Sequence, residues 1–236
     1  DPTDRSWLNL VAMLRKADDA GVRIVPGDDY GAQGMAHGLG AYARELVLYV
    51  DEFGIPAERV IEAADGHVMD LGGRPLSCID TPGHAKHHLT VYDERANVCF
   101  TGDVFGLSYR DFDTAQGPFI LPTTSPVQFD PEALHASIER LIALRPEAMY
   151  LTHYGRVEAV ERLATDLHTQ IDAMVALARA AHGQPDRHAA LMESLTDLYA
   201  TRAEAHGWSF GRSSLRQLLG MDIELNAQGL EVWLDR

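Results

Sequence analysis

Apolar positions recur with two different periods along the chain, and the change of period divides it. Up to about residue 63 the spacing is helical. Trp7, Leu8, Leu10, Val11 and Leu14 fall on one side of a helix expected over 6–19. Gly21 ends that helix, and Val22-Arg23-Ile24-Val25 reads as a short buried strand leading into the polar loop Pro26-Gly27-Asp28-Asp29-Tyr30-Gly31. A second helix is expected over 38–53, with Leu39, Tyr42, Leu46, Tyr49 and Val50 on one face. Gly54-Ile55-Pro56 stops it, and Pro56 starts a shorter helix to about Ala63.

From Asp65 the texture is that of strands. His67 to Leu71 and Arg74 to Ile79 flank Gly72-Gly73, a hairpin signal. His88 to Asp93 and Asn97 to Thr101 form a second hairpin around Glu94-Arg95-Ala96. Residues 104–130 are aromatic, Pro-rich and irregular, with Tyr109, Phe112, Phe119, Pro122, Pro126 and Phe129; a loop of that length is functional or poorly ordered. Asp130-Pro131 is an N-cap followed by a first-turn proline, so a helix is expected to about Ala143, then a strand over Ala148–Leu151. The remainder reads as helices over 157–181 and 186–205 and a stretch from Ser213 to Leu219. Leu163, Leu167, Ile171, Met174 and Leu177 make one apolar stripe and Leu191, Leu195 and Leu198 another, which predicts an antiparallel pair turning at Gly183-Gln184-Pro185.

Three of the strand-like runs stop at a side chain able to bind a metal, each beside a glycine. Leu76 to Ile79 runs into Thr81-Pro82-Gly83-His84, Val98 to Phe100 into Thr101-Gly102-Asp103, and Ala148 to Leu151 into Thr152-His153-Tyr154-Gly155. Pro82 biases Thr81 towards extended geometry and Gly83 permits a sharp turn, which delivers His84 to the mouth of a strand. Histidine nitrogen and carboxylate oxygen suit zinc, iron or manganese, and a carboxylate can bridge two ions. Such an ion lowers the pKa of bound water from ~15.7 to ~7. The trio is therefore expected to converge at one edge of the sheets. Taken singly, each of these residues reads more simply as a loop histidine or a turn former.

Composition narrows the partners. The net charge is −15 and the pI about 5.0, which argues against nucleic acid or an anionic membrane and fits a cytoplasmic protein. No apolar run approaches the ~20 residues of a spanning helix and no signal-peptide pattern opens the chain. Asp1 in first position, in place of Met, reads as a fragment or processed product. Cys78 and Cys99 lie inside apolar runs and read as buried thiols, with a disulfide or metal ligation as the alternative.

From about residue 58 onward the sequence resembles the metallo-β-lactamase superfamily of metal-dependent hydrolases. The resemblance rests on Asp65-Gly66 with Asp70-Leu71-Gly72-Gly73, on the three strand ends, and on a tail from Met221 to Leu230 similar to that of a hydrolase subgroup. It implies an α/β (α+β) fold, a partial αββα sandwich with a helical C-terminal extension, and a dinuclear site. On that site His84 ligates one ion, Asp103 bridges and is the catalytic residue, and His153 ligates the other. His87 and His88 belong to the same motif with no ligand role assigned. The superfamily's His-x-His-x-Asp-His segment, expected before Asp65, is absent; the only histidine there is His37. Residues 1–57, with Ala20 to Asp29, His37-Gly38 and Arg44-Glu45-Leu46, resemble instead the last strand and helix of an amidohydrolase barrel, with Asp29 at the metal-site position. The chain thus divides into an amidohydrolase-like helix-strand-helix fragment (1–57) and a metallo-β-lactamase-like domain (58–236).

Two functions compete on this reading. One is a metal-dependent hydrolase holding one or two zinc ions, or iron or manganese, through His84, Asp103 and His153. Asp28, Asp29 and His37, or a second subunit, then supply the missing ligands. Its substrate is a small molecule carrying an ester, thioester, lactone or amide bond. The other is a non-catalytic scaffold that forms homo-oligomers through its apolar helices and binds metal weakly or not at all. An amidohydrolase-type deaminase or amidase is a weaker third, because most of that barrel is missing.

Overall fold

The structure, a computed structural model, describes residues 63–124 and 128–236. The expected helices at 6–19 and 38–53, the strand at 22–25, the 1–57 fragment and the residues Asp28, Asp29 and His37 lie outside the described residues. The compact unit Ala64–Arg236 is the one that carries the strand ends.

Among the described residues six strands form one mixed sheet in sequence order: β1 (Val68–Asp70), β2 (Pro75–Asp80), β3 (Leu89–Asp93), β4 (Val98–Gly102), β5 (Ala148–Leu151) and β6 (Gly155–Val157). The first hairpin closes on the Gly72-Gly73 turn, with Leu71 and Arg74 exchanging backbone hydrogen bonds of 2.9 and 3.2 Å. β4 and β5 pair in parallel, Cys99 opposite Met149, and all other pairs are antiparallel. The crossover between them is the 104–130 segment plus helix α1 (Pro131–Ile142). The Asp130 carboxylate caps α1, accepting from the Ala133 N–H at 3.0 Å, with Pro131 in the first turn.

Strand alternation sorts the sheet into two faces. Cys99, Met149, Leu151 and Val157 share one core with Leu134, Ile138 and Leu141 of α1 and with Leu163, Leu167 and Ile171 of α2 (Val160–Ala181). On the opposite face Phe100 and Tyr150 stack at 5.0 Å, and Phe100 stays 45% exposed. One sheet, with helices against one face, is the half of the αββα sandwich found among the described residues. Both cysteines are free and buried, and burial pushes the Cys99 thiol up to about 12.

Three expectations need correction. The helix expected from 157 begins at Val160, because Gly155–Val157 pairs with β5 as an edge strand. The stretch expected over Ser213–Leu219 is a helix of 24 residues, α4 (Gly211–Leu234), which runs straight through Gly220 and Gly229. Leu215, Leu219, Ile223, Ala227 and Leu230 are buried along one stripe of α4, and that burial, about 1.5–3 kcal/mol for each large side chain, outweighs ~1 kcal/mol for each glycine. The aromatic 104–130 segment, expected as a functional or poorly ordered loop, builds part of the core over its described part. Phe105, Phe112, Phe119 and Phe129 are core residues, and Phe112 stacks on Trp208 at 4.6 Å.

Helix α3 (Arg187–Ala205) follows α2 after the 183–186 turn and packs back on it, its Tyr199 hydroxyl 3.4 Å from Met174 Sδ. The buried residues depart slightly from the expected stripes: Ala178 and Tyr199 are buried where Leu177 and Leu198 are only part-buried. Leu167 is wholly buried, so a Leu167→Asp substitution places an unpaired carboxylate in the core. A loss of several kcal/mol is expected, read as a drop in the urea midpoint; an unchanged midpoint would place this face in solvent. No helix among the described residues is long and apolar enough to cross a membrane.

Candidate metal centre

The three strand ends meet. His84 Nε2 lies 3.8 Å from Asp103 Oδ2, and His153 Nε2 lies 3.4 Å from Asp103 Oδ1. Each histidine thus faces a different oxygen of one carboxylate, although up to 69 positions separate the residues in sequence. Two donors that share an ion at about 2.0–2.2 Å from it must lie within about 4 Å of each other. Both pairs satisfy that limit.

His84 is held by its other nitrogen. Its Nδ1 is 3.0 Å from Thr123 Oγ1, and that hydroxyl donates its own hydrogen to the Asp103 carbonyl at 3.0 Å. Thr123 Oγ1 must therefore accept, which places the proton on Nδ1 and turns the Nε2 lone pair towards Asp103. A lone pair facing a carboxylate is repulsive unless a cation or proton stands between them. The α1 helix fixes the loop that carries His84: the Asp130 N–H donates to Gly83 O at 2.8 Å and Ser137 Oγ donates to Pro82 O at 2.6 Å.

Asp103 is aimed by its neighbours. Gly102 ends β4 with φ of +53°, beyond an irregular register between Phe100 and Gly102. Its left-handed turn carries Asp103 off the strand, and a Cβ there would stand 2.5 Å from His88 Nε2. His88, which the sequence left without a role, accepts from the Asp103 N–H at 2.9 Å and places Nδ1 3.2 Å from Thr81 Oγ1. An Nε2 that accepts leaves the ring proton on Nδ1, so His88 is a neutral strut. Burial, reinforced by the nearby His84 and His87 imidazoles, pulls its pKa down to about 3. Asp103 Oδ1 is buried and has no hydrogen-bond partner among the described residues. An orphaned carboxylate oxygen is rare in a folded protein and fits a cation that would be its partner.

His153 sits in the turn between β5 and β6, where Tyr154 has φ of +74°. A side-chain-bearing residue there costs about 1–2 kcal/mol. The Tyr154 ring rests on that of Tyr109, centroids 4.1 Å apart, and the Tyr109 hydroxyl donates to Asp222 Oδ2 at 2.7 Å. Burial raises the Asp222 carboxyl, against the pull of the Tyr109 hydrogen bond and the His153 imidazole. Asp65, part of the resembling motif, stands outside the site. It pairs with Arg140 of α1 at 2.8 Å and accepts from the Asp80 N–H at 2.9 Å, tying α1 to the end of β2.

The donor set is smaller than a complete metal shell. Among the described residues no group of three or more His, Cys, Asp or Glu side chains could hold a metal ion. The trio splits into two pairs about Asp103, and each pair leaves an ion short of the three protein ligands usual for catalytic zinc. The two donors at each position are of a type that fits a metal.

The model of the metallo-beta-lactamase superfamily matches residues 10–153, more than half of the chain, and the match ends at His153. The chain belongs to this superfamily. The matched range opens inside the segment likened to an amidohydrolase, which lies outside the described residues. One curated relative is the metallo-beta-lactamase fold-containing protein ST1585 of Sulfurisphaera tokodaii, 35% identical over 100 residues, 42% of this chain and 34% of that protein. A second is a hydroxyacylglutathione hydrolase of Acidiphilium cryptum, 33% identical over 122 residues, 51% of this chain and 43% of that protein. The chain therefore matches less than half the length of either. The crystal structure of ST1585 aligns with a TM-score of 0.47 at 24% identity, over 85% of this chain and 64% of that one.

Proposed function

We propose that this protein is a metal-dependent hydrolase in which His84, Asp103 and His153 hold one or two ions, zinc foremost and iron or manganese as alternatives. The observation that carries the reading is the Asp103 carboxylate between two imidazoles, with Oδ1 buried and without a hydrogen-bond partner among the described residues. When bound, such an ion supplies Lewis acidity and a nucleophile at neutral pH. The chain's own part is to orient the donors. Thr123 keeps the His84 proton on Nδ1, and His88 anchors Asp103 by its backbone. The Tyr109–Tyr154 stack holds the turn that bears His153. The substrate class proposed is a small molecule with an ester, thioester, lactone or amide bond, and the hydroxyacylglutathione hydrolase among the relatives supports acyl hydrolysis. The protein is proposed to be cytoplasmic and not to bind nucleic acid.

A second reading, a non-catalytic homo-oligomeric scaffold, is favoured by the shortfall of donors among the described residues. A calorimetric zinc titration at pH 7.5 and 5.5, with metal analysis of the purified protein, separates the two. The hydrolase reading expects zinc uptake that is weak for the superfamily, that falls further at pH 5.5 because an imidazole nitrogen must be unprotonated to bind a metal, and that is lost in Asp103→Ala. Tight binding unchanged by the substitution would place the ligands elsewhere. Zinc taken up at neither pH would favour the scaffold.

A further inference from the structure

Helix α4 presents an apolar stripe to the core, yet Asp222 and Asn226, one helical turn apart, interrupt that side with polar groups. Each is bonded to a segment that touches one of the two histidines or its chain neighbour. Asp222 accepts from Tyr109 at 2.7 Å; the Tyr109 ring packs on that of Tyr154 at 4.1 Å, and Tyr154 is the residue after His153. Asn226 is buried with every polar atom used. Its Oδ1 accepts from the Thr124 N–H at 2.8 Å, and its Nδ2 donates to Pro122 O at 3.1 Å and to Tyr199 Oη at 2.9 Å. Pro122 and Thr124 are thus bracketed by one side chain, and the residue between them is Thr123, which holds His84 and Asp103.

We propose that α4 is a positioning element of the metal centre: Asp222 and Asn226 hold His153 and His84 through separate chains of contacts, so the helix sets the span between the two imidazoles. This rests on the reading of those histidines as metal ligands. A buried amide with three satisfied bonds, and a half-buried carboxylate with a phenol on it, add little net stability over apolar side chains but admit one arrangement of their partners. Losing such an outer contact typically weakens metal binding 10–100-fold. The stretch Met221 to Leu230, set apart in sequence by its resemblance to a hydrolase tail, contains both residues.

The test has one readout without metal and one with it. In metal-free protein with labelled histidine, the ring Cε1–H signals of His84 and His153 are identified from the His84→Ala and His153→Ala chains. Tyr109→Phe and Asp222→Leu are expected to shift the His153 signal and spare His84. Thr123→Val and Asn226→Ala are expected to do the reverse, with Thr123→Val deciding that arm if Asn226→Ala does not fold. Asp222→Asn, which keeps an acceptor for Tyr109, is expected to leave His153 near its native position. Each shifting variant is expected to bind zinc at least about tenfold more weakly. Signals that stay put, or that both move in every variant as general loosening would produce, overturn the proposal. A parent chain that takes up no zinc would remove the metal reading, and the pattern of shifts would still decide the positioning.

Discussion

A Gly83→Ala chain is expected to lose about 3–5 kcal/mol of stability and most of its zinc uptake together. The reason is where the added methyl would go. A Cβ on Gly83 would stand 2.3 Å from both the N and the Cα of Leu134, and 2.6 Å from its Cβ. Those atoms belong to the first turns of α1, so no side-chain rotation relieves the clash. The backbone at Gly83 has φ of +132°, which adds strain for any L side chain. Either α1 moves off the loop or the loop moves off α1. The first breaks the Asp130–Gly83 and Ser137–Pro82 hydrogen bonds, and the second carries His84 away from Asp103. For a unit of this size the stability loss corresponds to a fall in Tm of roughly 10 °C. Thermal unfolding in chelator, followed by the zinc titration, checks both parts. A native Tm would mean that α1 does not rest on this loop.

Acid is expected to destabilise the metal-free protein well above the pH at which carboxylates titrate. His88 is neutral in the fold, with its pKa pulled down to about 3 by burial and by the His84 and His87 imidazoles, whereas in the unfolded chain it titrates near 6.5. Between those values the unfolded chain binds the extra proton, so stability rises with pH. The contribution is fully present above about 6.5 and is lost as pH falls towards 3, by at most ~1.4 kcal/mol per pH unit. His168 adds in the same direction. Burial and the stacked His135 ring lower its pKa, and the two Nδ1 atoms lie 2.6 Å apart, so one must remain unprotonated. His188 has the opposite sign, since its ring nitrogens donate to the Glu231 and Glu224 carboxylates, which raises its pKa. Its contribution is complete below 6.5 and adds no slope there. Asp65 and Asp235, held below the usual carboxylate range by Arg140 and Arg187, begin to contribute only near pH 4. Urea midpoints at pH 7.5, 6.0 and 5.0 in chelator are expected to fall steadily, by about 2 kcal/mol or more in total, and to fall less in His88→Gln. Midpoints level from pH 7.5 to 5.0 would mean that His88 is protonated in the fold.

Local signals carried much of this protein. The Gly72-Gly73 hairpin, the Asp130-Pro131 helix start and the run from Ala148 to Leu151 were legible because a turn, a cap and a β-branched or apolar run depend on a few adjacent residues. The candidate ligands His84, Asp103 and His153 were legible for the same reason: each ends an apolar run beside a glycine, and strand ends gather at one edge of a sheet. What only the tertiary structure decided involves partners remote in sequence. The strand Gly155–Val157 exists because β5 offers it an edge, and α4 continues through two glycines because the core buries its stripe. The aromatic residues between 104 and 130 have a composition equally suited to a binding surface, and only their packing against Trp208 and the helices makes most of them core. His88 was visible as a histidine, but its acceptor role needs the Asp103 N–H, 15 residues away. Thr123, Tyr109, Asp222 and Asn226 had no periodic or motif signal for a role at the site, because hydrogen bonds that span from 20 to 113 positions leave no local pattern to read.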